Sequence, residues 1–377
     1  MTSNSSYIAL YSSVIPVRGF SRSILMDLYK GKFLFIPNYL CDFLIENKSK
    51  NLQKADFLDL GNSIEDFDEI TSLLDELLLQ DYLIETELEV IELLKVEIPD
   101  KTEDALIDDC IMELSDYSNW DVSHFLAEIN HIGVKFLEIR FLDVASFTNQ
   151  IGIIQSALQD HSIEFLHCIV PFYDGIQRII TEELLDFARL NQLTIYNATS
   201  EFEIENAPFL IDFSNQESIS SSNCGCIDPT YFSFNVPSYY QNKKYNNCLS
   251  HKLSVDQFGE IKNCPSKKNS FGKTGEINLE QTIHLDEFKK EWRITKESVL
   301  ICSDCEFRWM CSDCRVFIQD ESNSLSKPSK CGYNPYINKW INEAGYVTEL
   351  ECGVSIIDNQ LSIDHEKLNQ INANLWT

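Results

Sequence analysis

The sequence has no apolar run of membrane-spanning length. Its first residues, Met1-Thr2-Ser3-Asn4-Ser5-Ser6, lack the basic stretch and apolar core of a secretory signal. Membrane insertion and export are therefore not expected, and the expected address is cytoplasmic. Positive charge is scarce: 30 Lys and Arg face 59 Asp and Glu, a formal net charge of −29, and no basic stripe escapes the excess. Nucleic-acid binders neutralise phosphates with Lys and Arg, so a nucleic-acid role is not expected. The acid excess fits solubility, or an acidic surface that receives a basic partner. Also missing are a Gly-rich phosphate loop and a nucleophile elbow with a credible Ser–His–Asp arrangement.

What the sequence does have is cysteine, 13 of them in 377 residues. In a chain read as cytoplasmic they do not form a disulfide framework, because that compartment keeps thiols reduced. Cys41, Cys110, Cys168 and Cys352 stand alone, while the other nine fall between Cys224 and Cys331. Clustering of that kind points to metal.

The length allows two or three domains. In residues 1–86, Ser23–Asp27 and Lys32–Ile36 are two strands around a Lys30-Gly31 turn. Pro37 and Asn38 open a helix, and a second is predicted over Asp66–Leu79 with Ile70, Leu73, Leu74 and Leu77 on one face. Asp81–Ile84 is a closing strand. Together these make a winged-helix-like unit with a free strand edge to which a peptide can add. Residues 87–105 form a linker. From 106 to 223 strands and helices alternate: strands near Cys110–Leu114, Val134–Arg140, Ile163–Val170, Leu193–Tyr196 and Phe209–Phe213, and helices over Val122–Ile132, Thr148–Leu158 and Thr181–Leu190. That order predicts an α/β architecture, a parallel sheet in an open or partial barrel. The Ser-rich stretch Ser214–Asn223 ends it. Residues 224–340 are the cysteine-rich domain, and 341–377 a C-terminal extension.

The cysteines are spaced as follows. Cys248 is followed after ten residues by Gly259, then after four by Cys264, and the intervening Ser254–Ile261 reads as a hairpin with Gly259 at its turn. Next come Cys302-Ser303-Asp304-Cys305, five residues, Cys311-Ser312-Asp313-Cys314, and Cys331. Cys-x2-Cys alone fits zinc as well as iron–sulfur. His161 and His167, near Cys168, read as satisfied histidines, with no carboxylate specified beside them. His251 is a further candidate to tune or ligate a cluster. Phe307 and Trp309 would shield a cluster from water.

The whole pattern resembles the SPASM domain, the seven-cysteine module that follows the catalytic barrel in many radical SAM peptide-modifying enzymes. One departure stands out: two residues, not three, separate Cys311 from Cys314. The resemblance implies two auxiliary 4Fe–4S clusters, with zinc as the alternative. One would be held by Cys248, Cys264 and Cys314, with Cys224 or Cys226 as a possible fourth ligand. The other would be held by Cys302, Cys305, Cys311 and Cys331. The Cys-x3-Cys-x2-Cys motif that binds the catalytic cluster and S-adenosylmethionine in those enzymes is absent, and Asp116–Asp121 stands in its place. Where that family has a Gly-Gly-Glu-Pro-like segment, this chain has Ile139–Asp143.

That combination resembles the grasp-with-spasm system SPASM-domain peptide maturases. It implies a degenerate radical-SAM-type partial barrel without S-adenosylmethionine binding or cleavage. The implied role is an accessory maturation factor that binds a precursor peptide near Ser23–Ile36 and works with an ATP-grasp ligase. The alternatives are an iron–sulfur electron-transfer protein serving a peptide-modifying enzyme, and a zinc-stabilised interaction protein.

Overall fold

The computed structural model describes residues 6–64, 67–94, 98–100, 106–218 and 224–376, with the backbone alone at 61–64. Four short strands open it: β1 (Tyr7–Leu10), β2 (Val14–Val17), β3 (Ser23–Asp27) and β4 (Lys32–Ile36). The β3–β4 hairpin is the one the sequence predicts, and its turn has two local causes. Asp27 Oδ1 accepts hydrogen bonds from the amides of Tyr29 and Lys30, and Gly31 takes a φ of +59°. β2, β3 and β4 form one antiparallel sheet in that order, while β1 pairs with β5 (Leu83–Thr86). β1 and β2 are not foreseen from sequence. β5 starts two residues later than predicted, because Asp81 turns the chain with a φ of +56°.

Between the sheets run α1 (Asn38–Glu46), α2 (Lys54–Ile64) and α3 (Phe67–Leu79). Ile70, Leu74 and Leu77 of α3 recur at helical spacing and are buried against Leu40, Leu44 and Phe57. Asp66, the predicted start of α3, lies outside the described residues. So do parts of the predicted linker, 95–97 and 101–105. Its first half is not a bare connector but a helix, α4 (Leu88–Leu94), that buries Ile91.

The central element is a seven-stranded sheet. β6 (Asp109–Leu114), α5 (Val122–Ile132), β7 (Phe136–Phe141), α6 (Val144–Ala157) and β8 (Phe165–Pro171) alternate, then come α7 (Ile176–Ile179), β9 (Leu190–Tyr196) and β10 (Leu210–Phe213). α8 (Val236–Lys244) precedes the hairpin of β11 (Lys252–Val255) and β12 (Ile261–Lys262). The strand order is β10-β9-β8-β7-β6-β11-β12, parallel throughout except for the β11–β12 pair. β10 and β12 end the sheet on opposite sides, so it is open, a partial mixed core rather than a closed barrel. Side chains alternate across it: Met112, Ile139, Cys168 and Leu193 are buried on one face, and Glu113, Glu138 and His167 lie on the other.

Local signals account for the helix shifts. α6 begins four residues earlier than predicted because Asp143 caps it, accepting from the Ser146 amide. The predicted helix over Thr181–Leu190 instead starts at Ile176 and ends in a π turn at Leu184, burying Ile176, Ile180 and Leu184. Leu190 is already paired with Leu166 in the sheet.

The cysteine-rich region joins this sheet directly, since β11 lies parallel to β6 with Cys110 opposite Leu253. Beyond it stand α9 (Leu279–His284) and α10 (Asp286–Lys289). The short pairs β13 (Tyr333–Asn334) with β14 (Lys339–Trp340) and β15 (Val354–Ile357) with β16 (Gln360–Ile363) follow, then α11 (His365–Leu375). The first sheet packs onto the same region: Val17, Ile24 and Met26 share a core with Phe307, Met310 and Tyr333. Among the described residues, no helix is long and apolar enough to cross a membrane.

A buried charge fixes that junction. Glu306 is fully buried; its Oε1 accepts from Arg22 Nε at 2.7 Å and from the Tyr333 hydroxyl at 2.6 Å. Removing one partner of such a pair strands the other charge. Glu306→Ala should therefore lower the unfolding free energy by about 3–5 kcal/mol, read by urea denaturation. A loss below about 0.5 kcal/mol, the range of an ordinary surface change, would show that the junction does not depend on it.

Candidate functional site

Three features merit description as sites: the free edge of the first sheet, the polar face of the central sheet, and the cysteines.

The edge follows from hydrogen-bond alternation. Leu28 donates to the Ser13 carbonyl, which fixes Ile15 and Val17 as the residues of β2 bonded to β3. Val14 and Pro16 then face outward. Pro16 has no N–H, so this edge cannot accept a full added strand. By the same alternation β4 uses Lys32, Leu34 and Ile36 to bond β3, and the main-chain groups of Phe33 and Phe35 face outward. Among the described residues no strand pairs with that edge. Its side chains are anchored. Phe33 and Phe35 lie edge-on to Phe307, and the Arg22 guanidinium sits 3.7 Å over the Phe35 ring.

On the central sheet, parallel pairing places Glu138 opposite His167 and Glu113 opposite Arg140. Arg140 Nε donates to Glu138 at 2.6 Å and its NH1 lies 3.4 Å from Glu113. His167 has Nδ1 3.6 Å from Glu138 and Nε2 2.9 Å from Thr194 Oγ1. Burial pushes both carboxyls up. At Glu138, His167 and Arg140 outweigh it and hold the group at about 2. At Glu113 burial prevails over Arg140 and the group stays above its usual range. His167 thus has the carboxylate that the sequence did not specify, because strand order was legible but register was not. His161 is a satisfied core residue bonded to the Leu126 carbonyl.

The loop after β6, where a radical SAM enzyme would carry its three thiolates, is closed by packing. Ser118 Oγ and Trp120 Nε1 both donate to the Gln257 carbonyl. Trp120 also lies against Gly259, where an added Cβ would come within 3.1 Å of the indole. Gly259 has the predicted positive φ, +79°. The predicted hairpin is present.

The cysteines are all free thiols. Cys302, Cys305, Cys311 and Cys331 line one apolar cavity with Phe307 and Tyr333, but its free volume is about 20 Å³, room for roughly one water. Cys311 Sγ is taken by Lys296 Nζ at 2.9 Å and by the Ser312 carbonyl. Cys248 and Cys314, both free thiols, share a hydrogen bond, so Cys314 is pulled down to about 6 and Cys248 raised. Gly225, between Cys224 and Cys226, lies against Cys314; a Cβ there would come 2.9 Å from its sulfur, while Cys226 is exposed. Cys264 is buried nearby and His251 packs on Trp292. Among the described residues, no three His, Cys, Asp or Glu side chains form a group able to hold a metal ion. The expectation of two 4Fe–4S clusters, and the zinc alternative, is corrected on that finding, and the electron-transfer reading that needs the clusters falls with it. Phe307 accordingly serves the packing described above, and Trp309 lies edge-on to Tyr239.

No family model and no curated protein matches the chain. Among solved structures it is similar to SuiB of Streptococcus suis at 10% identity and a TM-score of 0.28, over 82% of this chain and 96% of SuiB. With SuiB bound to its precursor peptide SuiA the TM-score is 0.26, at the same identity and coverage. The heterocyclase TruD is matched at 12% identity and a TM-score of 0.18 over 41% of this chain, which spans only 24% of TruD. Likeness at these values carries no argument about function. In plan the chain resembles the grasp-with-spasm system SPASM-domain maturases, a resemblance that stands on its cysteine spacing.

The depressed carboxyl makes an acid-stability prediction. Glu138 sits well below the ordinary value near 4.5, so its stabilisation is complete above about 4.5 and is lost as pH falls towards 2. Urea unfolding at pH 5, 4 and 3 should show wild type losing stability more steeply than Glu138→Gln. Parallel curves would mean the Arg140 contact contributes nothing.

Proposed function

We propose that this protein is an accessory maturation factor for a ribosomally made peptide, which it binds by adding a peptide strand to β4. The carrying observation is the asymmetry of the first sheet: one edge closed by Pro16, the other presenting the main-chain groups of Phe33 and Phe35. The predicted segment Ser23–Ile36 narrows to its second strand, because β3 is paired on both sides. The winged-helix-like reading of residues 1–86 supports the same use, with α3 beside the sheet. The cysteine spacing supports membership of a peptide-tailoring system, in a cytoplasmic setting and with an ATP-grasp ligase as the partner that makes the bond. Asp116–Asp121, lacking cysteine, supports a role without S-adenosylmethionine cleavage.

What these residues do is bind and orient. An added strand would be held by main-chain hydrogen bonds at Phe33 and Phe35, with the Arg22 guanidinium fixing the Phe35 ring from one side. Each hydrogen bond contributes about 1 kcal/mol net.

Phe35→Pro deletes an outward N–H without touching a bond of the β3–β4 ladder. It should weaken binding of the precursor about tenfold, by roughly the worth of one or two hydrogen bonds, in fluorescence anisotropy, and lower the yield of modified peptide with the ligase. Equal binding by wild type and variant, with no stimulation of the ligase by either, would end this reading.

A further inference from the structure

A second groove lies on the other side of the first sheet. It has a volume of about 560 Å³ and runs between β1, β2, the chain after α1, and α8. Leu10, Pro16 and Leu83 give it apolar walls. Among the described residues, Lys50 and Lys243 also line it, both exposed, with Glu46 the carboxylate there. In a chain of net charge −29 that local excess of cations is a departure from the surrounding surface. A second observation lies at the same place. Trp309 lines the groove, its indole N–H is buried with no acceptor among the described residues, and Lys243 Nζ stands 4.8 Å over its ring.

We propose that this groove seats an acidic, extended peptide segment with apolar residues between its carboxylates. The proposal rests on the peptide-binding reading above and adds a second contact to it. Pro16 denies the occupant a continuous ladder, so recognition here falls to side chains. Carboxylates would pair with Lys50 and Lys243, and apolar residues would lie on Leu10 and Pro16. Peptide charge is the selecting feature, because the rest of the chain repels acidic ligands at long range.

The test uses the full chain and three fluorescein-labelled peptides of one length, with Glu, Gln or Lys alternating with Leu and Val. Anisotropy should rank Glu above Gln by about tenfold and give no binding for Lys, with the gap narrowing as salt rises. The double variant Lys50→Glu, Lys243→Glu changes only exposed side chains and should lose about tenfold for the Glu peptide. Phe35→Pro separates the two readings. Loss with Phe35→Pro but not with the lysine variant overturns the groove and keeps the β4 edge. Loss with the lysine variant alone supports the groove, and the β4 edge is decided separately by precursor binding to Phe35→Pro. Equal affinity for Glu and Gln peptides overturns the groove, as does a dimer in sedimentation that the lysine variant dissolves.

Discussion

The carboxylate of Glu306 is the point on which the arrangement of this molecule turns. It lies between Cys305 and Phe307 in the cysteine-rich region, yet its partner is Arg22, 284 residues earlier, on the chain that enters β3. A fully buried charge tolerates few geometries, because its lone pairs must meet donors from fixed directions. Arg22 and Tyr333 meet one oxygen, and Arg22 also donates to the Tyr333 hydroxyl at 3.1 Å. The first sheet is therefore held in one orientation on the C-terminal region. Around that triad, Phe33, Phe232, Trp340 and Tyr333 crowd against Phe307 with centroids between 5.0 and 6.3 Å. The polar contact sets direction and the aromatic contacts supply buried area. The Phe35 ring lies on the Arg22 guanidinium, so the exposed edge of β4 inherits its rigidity from the same charge.

The second constraint is the parallel pairing of β11 with β6. It makes the hairpin that carries Cys264 an extension of the central sheet, and it brings Lys252 of β11 opposite Asp109 of β6. The polar face of that sheet is consequently a closed set of charges, with Arg140 shared by two carboxyls that burial and pairing drive in opposite directions. Such divergence is common where acid–base chemistry occurs, and here it also serves to keep ions satisfied on a half-covered face.

Much of this was legible in the residues. Lys30-Gly31 between alternating apolar strands specifies its hairpin whatever surrounds it, and Gly259 does the same for its own. The strand–helix alternation from Cys110 onward specifies parallel pairing, since crossover helices allow little else. What failed to show was whatever depends on partners far away in sequence. β1 is four residues long and exists because Thr86, 79 residues later, lies beside Tyr7. Glu138 and His167 are both visible as strand residues, but only register makes them neighbours. The cysteine spacing points to metal chemistry, whereas Cys302, Cys305, Cys311 and Cys331 sit around a void of about 20 Å³ with Cys311 bonded to Lys296 and Ser312, and Cys248 shares a hydrogen bond with Cys314 elsewhere. Spacing along a chain says which sulfurs can approach, and packing decides what they approach.

Pro16 has a consequence for the molecule at high concentration. A sheet with two open edges can recruit copies of itself from either side and so propagate into a fibre. Here one side carries a residue without a donor, so edge-to-edge growth of this sheet proceeds through β4. Growth through this sheet halts at a pair, a chain terminator written into it by one imino acid.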